Sequence, residues 1–403
     1  MGSEDADFVI VGCGVFGLST ALDLSRRYGG SKKIIALDAF TIPSPWSAAN
    51  DLNKIIRAEY SDIDYTKLAL EALELWEKDP VFKNHFIKCG RVTLSPMDEK
   101  NNLNRLNYER KGLQNLIKLG CDPDRIVEIK EKSQFVKIIP ELRDTHLFDS
   151  EIGFETETKT RIVQCRYNPD AGYGHASNSL ISVYNECIKN GVIFKFGQDG
   201  KVIDIDKKNV IVITYGGKSY KSYKIILTMG AATGHLINLN NQINSTGLFI
   251  THIKLSNKEF EKYEKLPIFF SSELGYFFPP DKNTKMMKIA MTFCDVKNTI
   301  NNTKTTEQSS LPRYKNEFFS DTFPRIKGLQ QVETLLNKII PELALHKLID
   351  SKCCWISDTI DSNFLIDFLP DSNENILVCC GDSGHGFKFF PNLAIELREI
   401  IMK

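Results

Sequence analysis

Six consecutive residues near the N-terminus, Gly12-Cys13-Gly14-Val15-Phe16-Gly17, have the types and spacing that hold a dinucleotide pyrophosphate. Gly12 permits a tight turn, Gly14 removes a side chain so that the backbone can approach the phosphates, and Gly17 lets the following helix pack closely on its sheet. Val15 and Phe16 open that helix, whose free N–H groups and positive dipole end face the anion. Asp38, 21 residues after Gly17, is spaced to accept hydrogen bonds from the ribose hydroxyls. FAD and NAD share adenosine diphosphate, so the turn by itself does not choose between them.

The elements around the turn give it meaning. Apolar Phe8-Val9-Ile10-Val11 reads as a strand, a helix runs to about Tyr28, and Ile34-Ile35-Ala36-Leu37 reads as a second strand ending at Asp38. This βαβ unit predicts a parallel sheet with a crossover helix. A helix is expected over 64–76, and the charged stretch 101–143 is helix-like. A second block starts near Asn168-Pro169-Asp170-Ala171-Gly172, continues as a helix to Asn190, and gives strands at 192–196, 202–205, 210–214 and 225–228. Residues 297–310 read as an exposed loop, and 375–380 as a buried strand leading into a glycine-rich turn. Nucleotide-type pieces therefore lie at the start, middle and end of the chain. Two interwoven domains are expected, an α/β doubly wound unit and a second, α+β unit.

The bulk composition narrows the partners. In 403 residues, 42% are hydrophobic and Lys plus Arg equals Asp plus Glu at 51 each, so a large core is available and no global field favours nucleic acid or an anionic membrane. No apolar run approaches the ~20 residues of a bilayer span, and acidic Glu4, Asp5 and Asp7 stand where a leader would be basic. Ten cysteines lack paired metal-type spacing, which predicts reduced thiols and no metal. An intracellular protein, cytoplasmic or peroxisomal, is expected, although Ile401-Met402-Lys403 is not a peroxisomal tripeptide. The Asn-X-Ser/Thr matches at Asn244 and Asn301 read as accidental.

Three motifs in order carry a family resemblance: the glycine turn; Ser44-Pro45-Trp46-Ser47-Ala48-Ala49-Asn50-Asp51-Leu52-Asn53-Lys54-Ile55-Ile56-Arg57; and a C-terminal set. That set comprises Cys354-Trp355-Ile356-Ser357-Asp358-Thr359, Asn363-Phe364-Leu365-Ile366-Asp367, and Gly381-Asp382-Ser383-Gly384-His385-Gly386-Phe387-Lys388-Phe389. The chain resembles the flavin amine oxidases of the monomeric sarcosine oxidase family, particularly the fungal fructosyl amino acid and saccharopine oxidase branch. The likeness is thin over 95–160 and 295–345. It implies an FAD-binding domain of the glutathione-reductase type (1–90, 150–235 and 350–403) interwoven with an antiparallel-sheet substrate domain (91–149 and 236–349).

The resemblance also assigns roles. It implies FAD bound by the glycine turn, Asp38, Ser47, Lys54, Val202, Asp382, Gly384, Gly386, Phe387 and Lys388, with a thioether from Cys354 to the flavin. Adjacent strand residues face opposite ways, so Cys353 cannot share that role and is expected in the core with Cys379 and Cys380. Lys288 aligns with the lysine that activates oxygen in these enzymes, where a fixed cation would stabilise developing superoxide. Arg57 and Lys54 are implied to lie close to flavin and substrate, and Lys388 to hold the substrate carboxylate. Tyr276 and Phe278 belong to an aromatic segment that lines the site, although a core stripe looks the same. His385 is implied either as a substrate contact or as a structural residue. Hydride transfer from carbon to flavin N5, imine hydrolysis and reoxidation by O₂ to H₂O₂ would follow, in a monomer acting on a small amino acid. Thr292, four residues after Lys288, departs from the acidic residue of fructosyl enzymes and the histidine of sarcosine oxidase. Saccharopine, a fructosyl amino acid, and a pipecolate- or sarcosine-type substrate stay open, as does an electron acceptor other than O₂.

Overall fold

The computed structural model describes residues 3–97, 103–148, 162–301, 308–312 and 323–401. Its first large sheet is built on the N-terminal unit. Strand Glu4–Val11 lies between Ile34–Leu37 and Ser219–Leu227, parallel to both, and Ile193–Lys195 extends the parallel set beyond Ile34–Leu37. Ser219–Leu227 is long enough to host two neighbours along one edge. Its first half pairs with the antiparallel meander strand Ile211–Thr214, and its second half with the parallel C-terminal strand Ile376–Cys380. All four residues of Ile34–Leu37 and all five of Ile376–Cys380 are buried, which is why both read as unbroken apolar runs. Helices Val15–Tyr28, Ala176–Lys189 and Leu393–Ile401 cover one face, and Phe16, Leu18, Val183 and Leu397 join one core cluster there.

The second large sheet crosses the far end of the molecule. In spatial order it contains Ile349–Thr359, Ile243–Lys254, Met286–Val296, Gly275–Phe277, Ile268–Ser271, Arg91–Met97, Ile162–Asn168 and Val127–Ile129. Every pairing is antiparallel except Ile268–Ser271 against Arg91–Met97. Helix Phe323–Ile339 packs on it through Leu335, Leu336 and Ile339. Strands Ile162–Asn168 and Ile349–Thr359 belong to this sheet, although both fall largely in segments read from the sequence as nucleotide-binding. A three-stranded sheet joins the halves, with Gly172–His175 between Asn53–Ile56 and Phe86–Ile87.

Two segments differ from the sequence reading. The stretch 101–143 is not continuously helical: helix Leu103–Lys118 stops at Gly120, whose φ of +91° suits only glycine comfortably. Strand Val127–Ile129 and the short helix Lys132–Ile138 follow. Part of 297–310 is also structured. Thr299–Asn301 pairs with Gln308–Ser310, and the buried Ser310 hydroxyl donates to the Ser245 carbonyl at 2.6 Å. Residues 302–307 lie outside the described part of the chain. Among the described residues no helix is long and apolar enough to cross a membrane, and no cluster of His, Cys, Asp or Glu could hold a metal.

Candidate active site

The glycine turn works through its backbone. A Cβ on Gly12 would stand 2.7 Å from the Thr228 carbonyl oxygen, and one on Gly17 only 1.8 Å from that of Gly12. Neither position tolerates a side chain, since Gly17 is where the helix presses on the turn. A Cβ on Gly14 would meet only Ser47 Oγ, at 3.7 Å, so that face of the turn is open. Asp38 does more than its spacing suggested. Its carboxylate accepts the Cys13 N–H at 2.8 Å and the Phe40 N–H at 3.0 Å, holding the turn closed, while burial raises its pKa against those bonds.

From this turn a cavity of about 480 Å³ runs between the two large sheets. Gly12, Gly14, Val15, Phe16 and Asp38 line one end. Val202 and Ser47 follow, and Lys54, Tyr276, Cys354, Asp382, Gly384, Gly386 and Phe387 line the rest. Asp382 ties the C-terminal turn to strand Ile349–Thr359 by accepting from the Ser357 N–H and hydroxyl, both at 3.0 Å, and from the Gly384 N–H at 3.1 Å. Gly17, Arg57, Phe278, Lys288, His385 and Lys388 do not line the cavity. Cys379 and Cys380 are buried, whereas Cys353 is only half-buried.

The end at Cys354 is built around Asp51, which the sequence reading quoted without assigning a role. Its fully buried carboxylate pairs with Lys288 Nζ at 2.5 Å and with Lys54 Nζ at 2.7 Å. Lys288 also donates to the Asn53 carbonyl at 2.7 Å and lies 5.0 Å from the Phe278 ring centre. Lys54 reaches Cys354 Sγ at 3.7 Å. Burial alone would raise the Asp51 pKa, but Lys288, Lys54 and Lys352 outweigh it and hold the carboxyl well below the usual range. Lys54 is raised: burial opposes this, and Asp51 overcomes it. Lys288 is pushed down to about 8, by burial first and by Lys54, despite Asp51. Thr292 has its hydroxyl engaged inside the fold, donating to the Ser272 carbonyl at 3.0 Å. The signal for Asp51 in the sequence was its i, i+3 spacing to Lys54; its distance from Lys288 along the chain hid the rest.

A second polar group gathers beside the C-terminal turn. Arg57 donates to the Glu59 carbonyl and to the Tyr108 hydroxyl, and stacks 4.5 Å from the Tyr60 ring centre. Lys388 Nζ donates to the His385 carbonyl at 2.8 Å, and the Lys388 carbonyl accepts the buried Trp76 Nε1–H at 2.8 Å, which pins the turn. Both His385 nitrogens are engaged, Nδ1 with the Tyr60 hydroxyl at 3.2 Å and Nε2 with the Ser362 carbonyl at 2.9 Å. Burial, then Lys388 and Arg57, lower the His385 pKa to about 3, so its imidazole is neutral. Tyr60 and the buried Glu59 were not among the residues singled out from the sequence.

An open glycine turn at a helix start, a carboxylate at the end of the next strand and a cavity that runs from them to a cysteine and a lysine fit FAD, and the chain matches over residues 7–400 the family described as FAD dependent oxidoreductase (DAO). The protein belongs to this family, as an FAD-dependent amine oxidoreductase. Among individual proteins it is 36% identical to L-saccharopine oxidase of Schizosaccharomyces pombe, over 98% of this chain and 89% of that protein. Fructosamine oxidase of Aspergillus fumigatus (Amadoriase II) has the same fold, with TM-score 0.81, 28% identity, and coverage of 100% of this chain and 87% of that one. A thermally stable mutant of fructosyl peptide oxidase superposes with TM-score 0.86 at 25% identity, covering 98% and 90%.

Proposed function

We propose that the protein oxidises the carbon–nitrogen bond of an N-substituted amino acid, a secondary amine, with O₂ as final acceptor, and that saccharopine is its substrate before any fructosyl amino acid. The observation that carries this reading is the buried Lys288–Asp51–Lys54 group beside Cys354 at the far end of the dinucleotide cavity. Bound FAD supplies the hydride acceptor, and the residues of this chain do the rest. Lys54, whose pKa is raised, stays cationic beside the chamber and disfavours an ammonium there, so the amine is held in the neutral form that releases hydride. Lys288, kept straight by Asp51 and the Asn53 carbonyl, presents a fixed cation for the anion formed when O₂ takes its first electron.

Arg57 and Lys388 hold the substrate α-carboxylate in this proposal, and Tyr276 forms part of the chamber wall with Phe278 packed behind it. Cys354 is the point of covalent flavin attachment, supported by the position of its thiol on the cavity wall. The enzyme acts as a monomer, with the two sheets as the centres of nucleotide-binding and substrate-binding domains. Saccharopine is preferred to a fructosyl amino acid because Thr292 departs from the acidic residue of the fructosyl enzymes and because the 36% identical relative is named for saccharopine.

Peroxide production from saccharopine, fructosyl valine, fructosyl lysine, pipecolate and sarcosine tests the substrate directly. Saccharopine should give the highest kcat/KM, and a rate confined to pipecolate or sarcosine overturns the choice. Acid-precipitated protein should remain yellow, and Cys354→Ser should release its flavin; a colourless wild-type pellet rules out the thioether. Substrate that bleaches the protein anaerobically while yielding no peroxide in air would point to an acceptor other than O₂.

A further inference from the structure

Two polar groups are left incomplete on neighbouring strands of the second sheet. Lys288, on Met286–Val296, and His252, on Ile243–Lys254, stand directly opposite one another in the antiparallel register, so their side chains leave the same face. The side chain of Lys288 is fully buried, and its ammonium carries three N–H donors. Two of them are engaged, by the Asp51 carboxylate and the Asn53 carbonyl. The third has no acceptor among the described residues. His252 is 6% exposed, and its buried Nδ1 has no hydrogen-bond partner among them either. A buried donor and a buried acceptor left unmade are each costly, and here they lie side by side.

Other pairings of these two groups are less suitable. Each oxygen of Asp51 is already engaged: one accepts the Leu52 N–H at 2.8 Å, and the other accepts Lys54 and Lys288. Lys352 donates to the Asn50 carbonyl. The Phe278 ring centre lies 5.0 Å from Lys288 Nζ, but an N–H on a ring face makes the weaker bond. Lys288 does not line the cavity, which leaves its cross-strand neighbour as the group placed to take the third N–H. No direct bond joins the two, and one water bonded to both would complete them.

On its other side His252 faces an irregularity in the sheet. Between Ile250 and His252 the pairing with Ile349–Thr359 slips by one residue, at exposed Asp350, whose φ is +49°. The charged groups around the imidazole are therefore Asp51, Lys288, Lys352 and Asp350. Burial lowers the His252 pKa, Lys288 and Lys352 lower it further, and the two aspartates oppose them, so the ring is neutral at and above pH 7. We infer that His252, bare at Nδ1 and protonated at Nε2, accepts the third N–H of Lys288 through one bridging water and is the positioning residue that keeps this lysine in its ammonium form. An acceptor favours the ammonium over the neutral amine, so it works against the burial that pushes Lys288 down. On the amine-oxidase reading given above, His252 thereby sets the pH up to which the oxygen half-reaction runs at full rate.

Two measurements on the holoenzyme test this role. The first needs no turnover. The chain has seven histidines, so nitrogen NMR spectra of histidine-labelled wild type and His252→Gln identify the His252 signals by difference. Nδ1 should be the bare nitrogen and Nε2 the protonated one, and the Nδ1 signal should move in Lys288→Met. A proton on Nδ1 would make Asp51 its partner and overturns the inference, as does an Nδ1 signal that Lys288→Met leaves unmoved. The second follows reoxidation by O₂ against pH after photoreduction of the flavin, with no amine present. In wild type the rate should decline through about pH 8, and in His252→Phe the decline should lie about one pH unit lower, the effect of one lost hydrogen bond to a charged group. His252→Gln, whose side-chain oxygen can accept, should restore most of that shift. A decline at the wild-type pH in His252→Phe overturns the inference, and so do equal shifts in His252→Phe and His252→Gln. If wild type oxidises no amine, the amine-oxidase reading fails, while photoreduction and the histidine spectra still decide the role of His252. Should His252→Phe fail to fold, the wild-type tautomer and its response to Lys288→Met decide it.

Discussion

The two ends of the cavity are made by opposite methods. At the nucleotide end, Gly12 to Asp38 do most of the work within one βαβ unit: the turn is backbone, closed by the bond from the Cys13 N–H to Asp38 across 25 residues and braced from a distance by the Thr228 hydroxyl, which donates to the Gly12 carbonyl. At the Cys354 end the working groups are side chains brought together from Asp51, Lys54, Lys288 and Cys354; apart from the neighbouring Asp51 and Lys54, the partners are 237 to 303 residues apart. The first end depends on conformational freedom and shape, the second on mutual compensation of buried charge. Substitutions should therefore damage them differently: a local change at the nucleotide end loosens a ligand, whereas one at the other end unbalances a network.

The largest effect is expected at Asp51. Asp51→Asn leaves Lys288 and Lys54 without their shared counter-charge in a buried site, which should lower folding stability by about 3–5 kcal/mol. Denaturant unfolding of the variant checks this, and wild-type stability in Asp51→Asn would break the comparison, because the far end would then not be a charge network. Next comes Lys288→Met. It should slow the oxygen half-reaction by about 10²–10³-fold, while anaerobic flavin reduction by substrate changes far less. Stopped-flow mixing separates the two half-reactions, and equal slowing in both would remove Lys288 from oxygen chemistry.

The pH dependence sharpens the same point. Lys288 is held to a pKa of about 8, below its ordinary value, chiefly by burial, so its ammonium is present below that pH and lost above it. The oxygen half-reaction should accordingly be fastest below about pH 8 and decline as pH rises through it. Lys288→Met should lack this decline. A wild-type profile that rises through pH 8 contradicts the role.

Smaller effects belong to the nucleotide end. Asp38→Ala should weaken FAD loading by about 1–3 kcal/mol, since it removes the brace on the Cys13 N–H and, on the reading proposed above, a ribose acceptor. Equilibrium dialysis or fluorescence titration of reconstituted apoprotein measures it, using Cys354→Ser as background to exclude a covalent trap. Gly14→Ala is the mildest. Its Cβ would meet only Ser47 Oγ at 3.7 Å, so folding should hold within about 0.5 kcal/mol. FAD affinity should drop several-fold because the methyl stands where the pyrophosphate approaches. A stability loss like that expected of Gly17→Ala, whose Cβ would lie 1.8 Å from the Gly12 carbonyl oxygen, would show that the two glycines are not doing different work.

Much of the architecture was legible in the sequence where the signal was periodic and apolar. The strands flanking the turn, the helix now seen over Ile63–Lys78 and the C-terminal strand Ile376–Cys380 all follow from buried runs and helical spacing. Residues 101–143 were less legible because their charged composition suits helices and exposed strands alike. Pairing with Ile162–Asn168 decides Val127–Ile129. Likewise Thr299–Asn301 and Gln308–Ser310 read as polar loop, and become strands because Ser310 finds the Ser245 carbonyl. A polar residue's burial depends on a partner that local sequence does not name.

The same distinction divides the site. By itself the sequence determined the dinucleotide turn and its acidic partner, because backbone sterics and hydrogen bonding act between near neighbours and leave their mark as glycine spacing. Cys354, Arg57 and Lys288 were singled out by the family resemblance, the first two within quoted motifs and Lys288 by alignment alone. Only the tertiary structure decided that Asp51 joins two lysines, that His385 has both nitrogens engaged, and that Arg91, Arg105 and Arg57 share aromatic neighbours along one wall. Those facts depend on Coulomb and desolvation terms between groups that meet only when the two sheets close on one another, and no spacing along the chain encodes such a meeting.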